Sequence, residues 1–336
     1  MCKGSKRYAR SLSRRELQLN QSRRAETPSP PVLLQASVWL STGSLLDISE
    51  LKRIKLARMK LFPATLLTLL SLSLLSPVTQ AQQAKPLRIL LITGGCCHDY
   101  DQQKDILKQG IEKRLNAEVT QVHTSDKTTK PPLEIYGNPD YAKGFDLVIH
   151  DECAAGISDE SVVAGVLKPH QEGLPGVNLH CAMHSYRIGN AKDPATTGTP
   201  HAWWFEYLGL QSSAHGPREP ISLTHIDKAD TLSKNLPDWT TIQEELYNNI
   251  QVFDSAKAVM RGKQTVKAKD GTEKEMEAVV TWTNLYKGKT RVFSTTIGHV
   301  NETVADDRYL DLVSRGILWA TDHINADGSA KDGFGK

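Results

Sequence analysis

The sequence has little of what marks several common classes of protein. Among its 336 residues are five cysteines, and no two of them form a CxxC pair. It has no HExxH motif, no visible internal repeat, and no apolar run of the roughly 20 residues that a membrane-spanning helix needs. A metalloprotease helix, a zinc knuckle, a repeat array and a confident membrane span are therefore not indicated.

An excess of basic charge is also lacking over most of the chain. The net charge is +3, but residues 1–60 hold 13 Lys and Arg against 4 Asp and Glu, which leaves the remainder at −6. The larger part is mildly acidic, so the composition gives no case for nucleic-acid binding.

A secretory signal peptide is predicted at residues 59–81. Met59 and Lys60 precede an apolar run over residues 61–75, and small residues stand at Thr79 and Ala81, the two positions that a signal peptidase reads. We expect translation to start at Met59, which makes residues 1–58 either a wrongly assigned start or a disordered extension. Since no cysteine follows the run, we expect no lipid anchor and no integral membrane anchor after cleavage. The mature protein would be exported to the periplasm or outside a bacterial cell.

The remaining residues suit one α/β domain over residues 85–325, with a flexible tail over residues 326–336. Four cysteines lie in this part, Cys96, Cys97, Cys153 and Cys181. Adjacent cysteines rarely bridge each other, so we expect four free thiols.

The first half of this domain has a β-α-β-β-α-β rhythm. Apolar or alternating runs predict strands, and helical spacing predicts the helices between them; the strands are residues 87–93, 118–123, 146–150 and 176–180, and the helices are residues 102–115 and 158–167. Ser158 is the expected N-cap of the second helix. This rhythm predicts a doubly wound, mostly parallel sheet.

The second half is expected to be less regular. Residues 188–220 predict a long surface excursion with one short helix. A strand, a hairpin and a closing helix should follow at residues 221–226, at residues 278–283 with 290–296, and at residues 309–319.

Polar side chains follow several of the predicted strands. His98, Asp151, His180 and His299 each stand at or just after a strand end. Because the carboxyl ends of parallel strands share one edge of a sheet, these groups are expected to meet in one cleft. The most informative segment reads GVNLHCAMHSYR, in which a short strand leads into His180, Cys181, His184 and Arg187.

Several alternatives stay open at this stage. A histidine in a strand is commonly structural, and Trp203 and Trp204 suit either a sugar-stacking platform or a plug over the sheet. A metal held by His98, His180 and Glu245 is a further hypothesis. Cys181 is a poor nucleophile-elbow candidate because bulky Leu179 and Met183 flank it.

Together, five segments resemble the ThuA-like, trehalose-utilisation family. They are LLITGGCCHD, GVNLHCAMHS, WWFEYLGLQSSAHG, EELY and RVFSTTIGH followed by GILWA, spread over roughly residues 87–321. The resemblance implies a three-layer, flavodoxin-like sandwich similar to class I glutamine amidotransferases. The Cys-His-Glu triad of true amidotransferases is not reproduced, and Cys181 stands where relatives often have Ser.

The resemblance also implies a role in carbohydrate metabolism on oxidised (keto) glycosides, with a functional link to a sugar dehydrogenase. The resulting hypothesis is acid–base isomerisation or elimination on a small-molecule sugar; the expected catalytic residues are His180, Glu245, His98, His299 and Tyr247. The expected substrate-binding residues are His215, Trp203, Trp204, His184, Arg187 and Asp151. The alternatives are a non-catalytic carbohydrate-binding module and a hydrolase or amidase that uses Cys181. No cofactor is certain, a divalent metal stays open, and the oligomeric state is not predicted.

Overall fold

A computed structural model describes residues 84–336. The predicted N-terminal extension (1–58) and signal peptide (59–81) lie outside the described residues. Nine strands are present in the described part: β1 (Leu87–Gly95), β2 (Ala117–Thr124), β3 (Leu147–Cys153), β4 (Gly176–Leu179), β5 (Leu210–His225), β6 (Trp239–Val252), β7 (Ala256–Lys267), β8 (Glu273–Tyr286) and β9 (Thr290–Thr295). The α-helices are α1 (Tyr100–Arg114), α2 (Glu160–Glu172), α3 (Trp203–Leu208), α4 (Asn301–Val304) and α5 (Asp307–Ala320).

All nine strands belong to one mixed sheet with the order β2-β1-β3-β4-β9-β8-β7-β5-β6. The pairs along β2-β1-β3-β4-β9 are parallel. The pairs along β9-β8-β7-β5-β6 are antiparallel. An α/β fold is therefore present, but the expected mostly parallel sheet is not confirmed, because antiparallel pairing extends one side of the parallel core.

Two helical layers cover the parallel part of the sheet, as the alternation in β1 illustrates. Ile89 and Leu91 are buried in a core with α1 and α5, whereas Leu90 and Ile92 are buried in a second core with α2 and α3. Successive side chains of a strand point to opposite faces, so a continuous apolar run is what a strand covered on both faces requires.

Several local predictions need correction. The excursion predicted at residues 188–220 does contain the short helix α3, but residues 210–225 form the single long strand β5, and neither β6 nor β7 was predicted. The helix α2 is capped by Asp159 rather than Ser158, since the Asp159 carboxylate accepts from the N–H groups of Ser161 and Val162.

Residues 326–336, predicted to be a flexible tail, fold back on the domain. The ring of Phe334 stacks on His323 with centroids 3.6 Å apart. The Phe334 carbonyl accepts from the N–H of Asn116 at 2.9 Å, and Lys336 donates its N–H to Arg114. These contacts join the C-terminal residues to the turn between α1 and β2.

Among the helices of residues 84–336, none is long and apolar enough to cross a bilayer. The longest of them, α1, has 15 residues.

The carboxyl ends of β1, β3, β4 and β9 meet at one edge of the sheet, where the main chain is closely packed. Gly95, at the end of β1, has φ +99°, and a Cβ there would lie 2.2 Å from the carbonyl oxygen of Cys153. Only glycine combines this conformation with so close an approach. The segment that leads to His98 is thereby held against the end of β3.

Candidate functional site

Three imidazoles form the centre of the site at this edge. His98 follows β1, His180 follows β4 and His299 follows β9. The His98 ring lies 4.6 Å from that of His180 and 4.7 Å from that of His299, measured between centroids. One ring nitrogen of each histidine lies within 4.8 Å of the others. The structure therefore brings together three histidines that are up to 201 residues apart in sequence.

A carboxylate reaches this cluster from the antiparallel half of the sheet. Glu245, on β6, has Oε2 3.6 Å from His180 Nε2. Its Oε1 lies 3.4 Å from Nδ1 of both His299 and His215. The Glu245 side chain is 10% exposed, so these contacts are made largely out of water.

Hydrogen bonds to main-chain carbonyls set the tautomers of two of the rings. His180 donates from Nδ1 to the carbonyl oxygen of Thr296 at 2.6 Å, and His98 donates from Nδ1 to that of His299 at 3.3 Å. Each ring then keeps Nε2 without a proton. The Nε2 of His180 and the Nδ1 of His299 are buried and have no hydrogen-bond partner among the described residues.

At neutral pH the His98 and His180 imidazoles are neutral and the Glu245 carboxylate is ionised. Burial lowers the pKa of His180 to about 4, which the charge of Glu245 only partly offsets, and burial with the neighbouring imidazoles lowers the pKa of His98 further. Burial works to raise the pKa of Glu245, but His299, His180 and His215 outweigh it and hold that pKa well below its usual range. An ionised carboxylate beside the unprotonated Nε2 of His180 suits proton abstraction.

The same atoms suit a divalent cation. Neutral imidazole nitrogens and one carboxylate are the donors found in catalytic sites of zinc and related metals. The buried, unpartnered Nε2 of His180 points to such a ligand because a buried polar atom without a partner is costly. His98, His180 and His299 are the residues that would hold it, with Glu245 beside them.

Three more predicted residues adjoin the cluster. The Tyr247 ring stacks on His184 with centroids 4.3 Å apart and 10° between planes, and it lies 5.2 Å from His180. His184 is also near Ser212, with Nε2 3.0 Å from its Oγ. His215 is the most exposed of the group, with 44% of its side chain accessible. Tyr247 and His184 therefore pack beside the imidazole cluster, whereas His215 faces solvent.

The remaining residues that were predicted to bind substrate are in positions less suited to that role. Trp204 is 1% exposed and donates its ring N–H to the carbonyl oxygen of Ala182. It packs in the second core and so forms the plug and not a sugar platform, whereas Trp203 is only partly buried against that core. Asp151 is buried, and burial raises its pKa. Arg187 is half-buried near Cys153 and Cys181, and burial lowers its pKa.

While it donates to Cys153, Cys181 is held as a protonated thiol. It is 7% exposed, lies in a 3₁₀-helix over His180–His184, and donates its S–H to Cys153. This contact, together with burial, raises the pKa of Cys181. Because the thiolate is the reactive form, these features disfavour the hydrolase alternative.

Sequence reasoning missed the residues that position His299. Glu244 is fully buried, and both of its carboxylate oxygens lie 3.0 Å from the N–H of His299, which donates to them. Gln103 donates from Nε2 to the carbonyl oxygen of His299 at 3.2 Å, and Arg218 donates from Nη1 to His299 Nε2 at 3.3 Å. The one sequence signal for Glu244 is the pair of adjacent glutamates in EELY. Because neighbouring residues on a strand face opposite sides of the sheet, Glu244 and Glu245 point in opposite directions.

Two cavities flank the cluster. One of about 500 Å³ has His98, His299, Lys127 and Asn301 in its wall. The other, of about 570 Å³, begins at His215 and Tyr247 and extends over apolar β7 and β8 side chains. Both lie within the size range of small-molecule sites. A larger cavity of about 760 Å³ lies at the opposite edge of the sheet, near Leu87 and Pro175, away from the imidazole cluster.

Comparison with known proteins decides the family. The ThuA family, described as trehalose utilisation, matches residues 88–320. This chain belongs to the ThuA family. The resemblance inferred from the sequence motifs is thereby confirmed, and a carbohydrate-related role holds for this ThuA chain at the level of the family. No curated protein matches the chain.

One of the solved structures that match supports the fold of this ThuA domain. A ThuA-like protein from Parabacteroides merdae matches with a TM-score of 0.51 and 19% identity, covering 74% of this chain and 97% of its own. A ThuA-like protein from Bacteroides uniformis has a TM-score of 0.47 and 15% identity over 71% of this chain and 95% of its own. A protein described as a GMP synthase component, from Thermoplasma acidophilum, has a TM-score of 0.37 and 11% identity over 70% and 96%.

Proposed function

We propose that this ThuA protein is an exported enzyme that carries out acid–base chemistry on keto-sugars. The observation that carries the proposal is the ionised Glu245 held 3.6 Å from the neutral ring of His180 and 3.4 Å from the ring of His299. A hydrogen on the carbon next to a ketone is acidic enough for such a base. General acid–base groups each contribute roughly 10²–10⁴-fold to rate.

The reaction begins when Glu245 removes the proton from C2 of a 3-keto-glycoside. The C–H electron pair forms an enediolate, whose oxygen Arg218 can stabilise from its position beside His299. Return of the proton to C3 gives isomerisation, and loss of the group on C1 gives β-elimination of the glycosidic substituent. Both outcomes balance without an oxidant.

The cavities suit the two parts of such a substrate. The polar cavity at His98 and His299 takes the oxidised ring, and the apolar cavity beyond His215 takes the glycosidic group. A sugar dehydrogenase is the class of enzyme that would supply the ketone.

A divalent cation held by His98, His180 and His299 belongs to the same proposal. Such a cation would polarise the ketone oxygen and acidify the adjacent C–H bond. We expect about one metal per chain by elemental mass spectrometry of the purified protein, and its loss in His180→Ala. His201→Ala, outside the cluster, is the matched control. Full metal retention in His180→Ala would contradict the metal site.

Deuterium exchange tests the reaction. The protein is mixed with a 3-keto-glucoside in D₂O, and the C2 proton is followed by NMR with and without added Zn²⁺, Mn²⁺ or Fe²⁺. Enzyme-dependent loss of the C2 signal is expected whether isomerisation or elimination follows. Absence of exchange under all these conditions, with binding still measurable by calorimetry, would support a binding module instead.

A further inference from the structure

Four sulfur atoms lie in contact beside the imidazole cluster. Cys96 and Cys97 follow β1 and form a disulfide, which corrects the expectation of four free thiols. Cys153 ends β3 and has Sγ 3.4 Å from Cys96 Sγ. Cys181 follows β4 and has Sγ 2.7 Å from Cys153 Sγ. The sulfurs thus form a continuous row across three adjacent parallel strands.

The row leads from solvent to the interior. Cys97 is exposed and Cys96 is partly exposed, whereas Cys153 and Cys181 are 2% and 7% exposed. The inner end is covalently next to His180, and the outer end is next to His98. Two of the three clustered imidazoles are therefore adjacent in sequence to a member of the row.

Cys153 has the surroundings of an attacking thiolate. The S–H of Cys181 donates to its sulfur, and this contact, together with the charge of Arg187, lowers the pKa of Cys153 despite its burial. A disulfide sulfur stands 3.4 Å from it. Thiol–disulfide exchange requires these two features, a thiolate and an accessible disulfide sulfur.

We propose that Cys96, Cys97, Cys153 and Cys181 form a thiol–disulfide relay, which moves a disulfide between the surface pair and the buried pair. In the first step the Cys153 thiolate attacks Cys96 Sγ, the Cys96–Cys97 bond breaks, and Cys97 leaves as a solvated thiolate. In the second step Cys181 loses its proton to this thiolate and attacks Cys153 Sγ. The Cys96–Cys153 bond breaks, Cys96 leaves, and its thiolate takes a proton from water.

The relay changes only the pairing, so it consumes no oxidant and no reductant. Its product ties the end of β3 to the 3₁₀-helix that begins at His180, and it frees the two residues before His98. An external dithiol or disulfide can exchange with exposed Cys97 and so change which cysteines are paired. The inference rests on the positions of the sulfurs and does not depend on the proposed reaction with keto-sugars.

Disulfide mapping tests the relay. Full-length protein purified without reductant is incubated at pH 8, quenched with N-ethylmaleimide, digested and analysed by non-reducing mass spectrometry. We expect both a Cys96–Cys97 and a Cys153–Cys181 cross-link in the wild type. In Cys153→Ser only the Cys96–Cys97 cross-link should remain.

The double variant Cys97→Ser with Cys181→Ser removes the leaving group and the resolving thiol. Mild oxidation with glutathione disulfide should then trap a Cys96–Cys153 cross-link, and circular dichroism reports whether each variant is folded. The relay is overturned if wild-type protein holds only Cys96–Cys97 at all times. It is equally overturned if reduced protein binds one Zn²⁺ or Cu⁺ through these thiols and forms no Cys153–Cys181 bond.

Discussion

Glu245 shows how a single residue acquires its chemistry from its neighbours. Its carboxylate is largely buried, yet three imidazoles hold its pKa well below its usual range. We expect Glu245→Gln, which keeps the size and removes the charge, to lower the rate of C2 exchange by about 10²–10⁴-fold. The measurement is the initial rate of deuterium exchange in a 3-keto-glucoside.

Glu275→Gln is the matched control for that substitution. Glu275 is an exposed residue of β8 that pairs with Lys263 at the surface. Its replacement should leave the exchange rate unchanged. An unaltered rate in Glu245→Gln would remove Glu245 as the base and direct attention to His180.

Among the secondary-structure elements, β6 holds the segment after β9 in place, and the site depends on this contact. Glu244, on β6, accepts from the main-chain N–H of His299 in the segment after β9. Replacement by alanine leaves a buried donor unsatisfied, which costs roughly 1–3 kcal/mol. We expect Glu244→Ala to lower the free energy of unfolding by that amount in urea titrations and to lower the exchange rate by displacing His299.

Two further variants separate this role from general damage to β6. Glu244→Gln keeps one acceptor oxygen and should recover part of both losses. Glu219→Ala changes the cross-strand partner of Glu244 on β5, and it should have a smaller effect. Equal effects of Glu219→Ala and Glu244→Ala would contradict the anchoring role.

At the scale of the whole molecule, buried neutral histidines make stability depend on pH. Burial lowers the pKa of His170 to about 3 and that of His180 to about 4. An unfolded imidazole has a pKa of about 6.5, so the unfolded chain binds more protons below that pH. The stabilisation is fully present above about pH 6.5 and is lost as pH falls toward the folded-state pKa values.

Urea unfolding at pH 7, 6 and 5 measures this effect. Each of these rings should reduce the free energy of unfolding by up to about 2 kcal/mol between pH 6.5 and 5. His170→Gln removes one such group and should make the pH dependence shallower. A pH dependence that is identical with and without His170 would contradict this account.

Export is a property of the whole chain that the sequence predicts. Expression of the full-length gene in a Gram-negative host should yield periplasmic protein that begins near Gln82, as read by intact-mass spectrometry. Ala81→Arg should block the cleavage, since the peptidase requires a small residue there, whereas Gln83→Arg should permit it. Uncleaved protein confined to the cytoplasm would refute the signal peptide.

The α/β class, the strands of the parallel part and the residue types at their ends follow from the amino-acid sequence. Apolar runs such as the one in β1 are local signals, and parallel strands necessarily bring their carboxyl ends to one edge. For this reason the meeting of His98 and His180 was predictable from the sequence, whereas that of His299 also needed the parallel pairing of β9 with β4.

The tertiary structure alone decided the rest. The antiparallel strands β5 to β8, the approach of Glu245 to the imidazoles and the anchoring by Glu244 depend on pairings between distant strands, which local periodicity does not encode. The burial of Trp204 and the contact of Cys153 with Cys96 and Cys181 depend on side-chain packing across layers. Local hydrophobic periodicity indicates which residues can be buried, but only the packed sheet determines which of them are in contact.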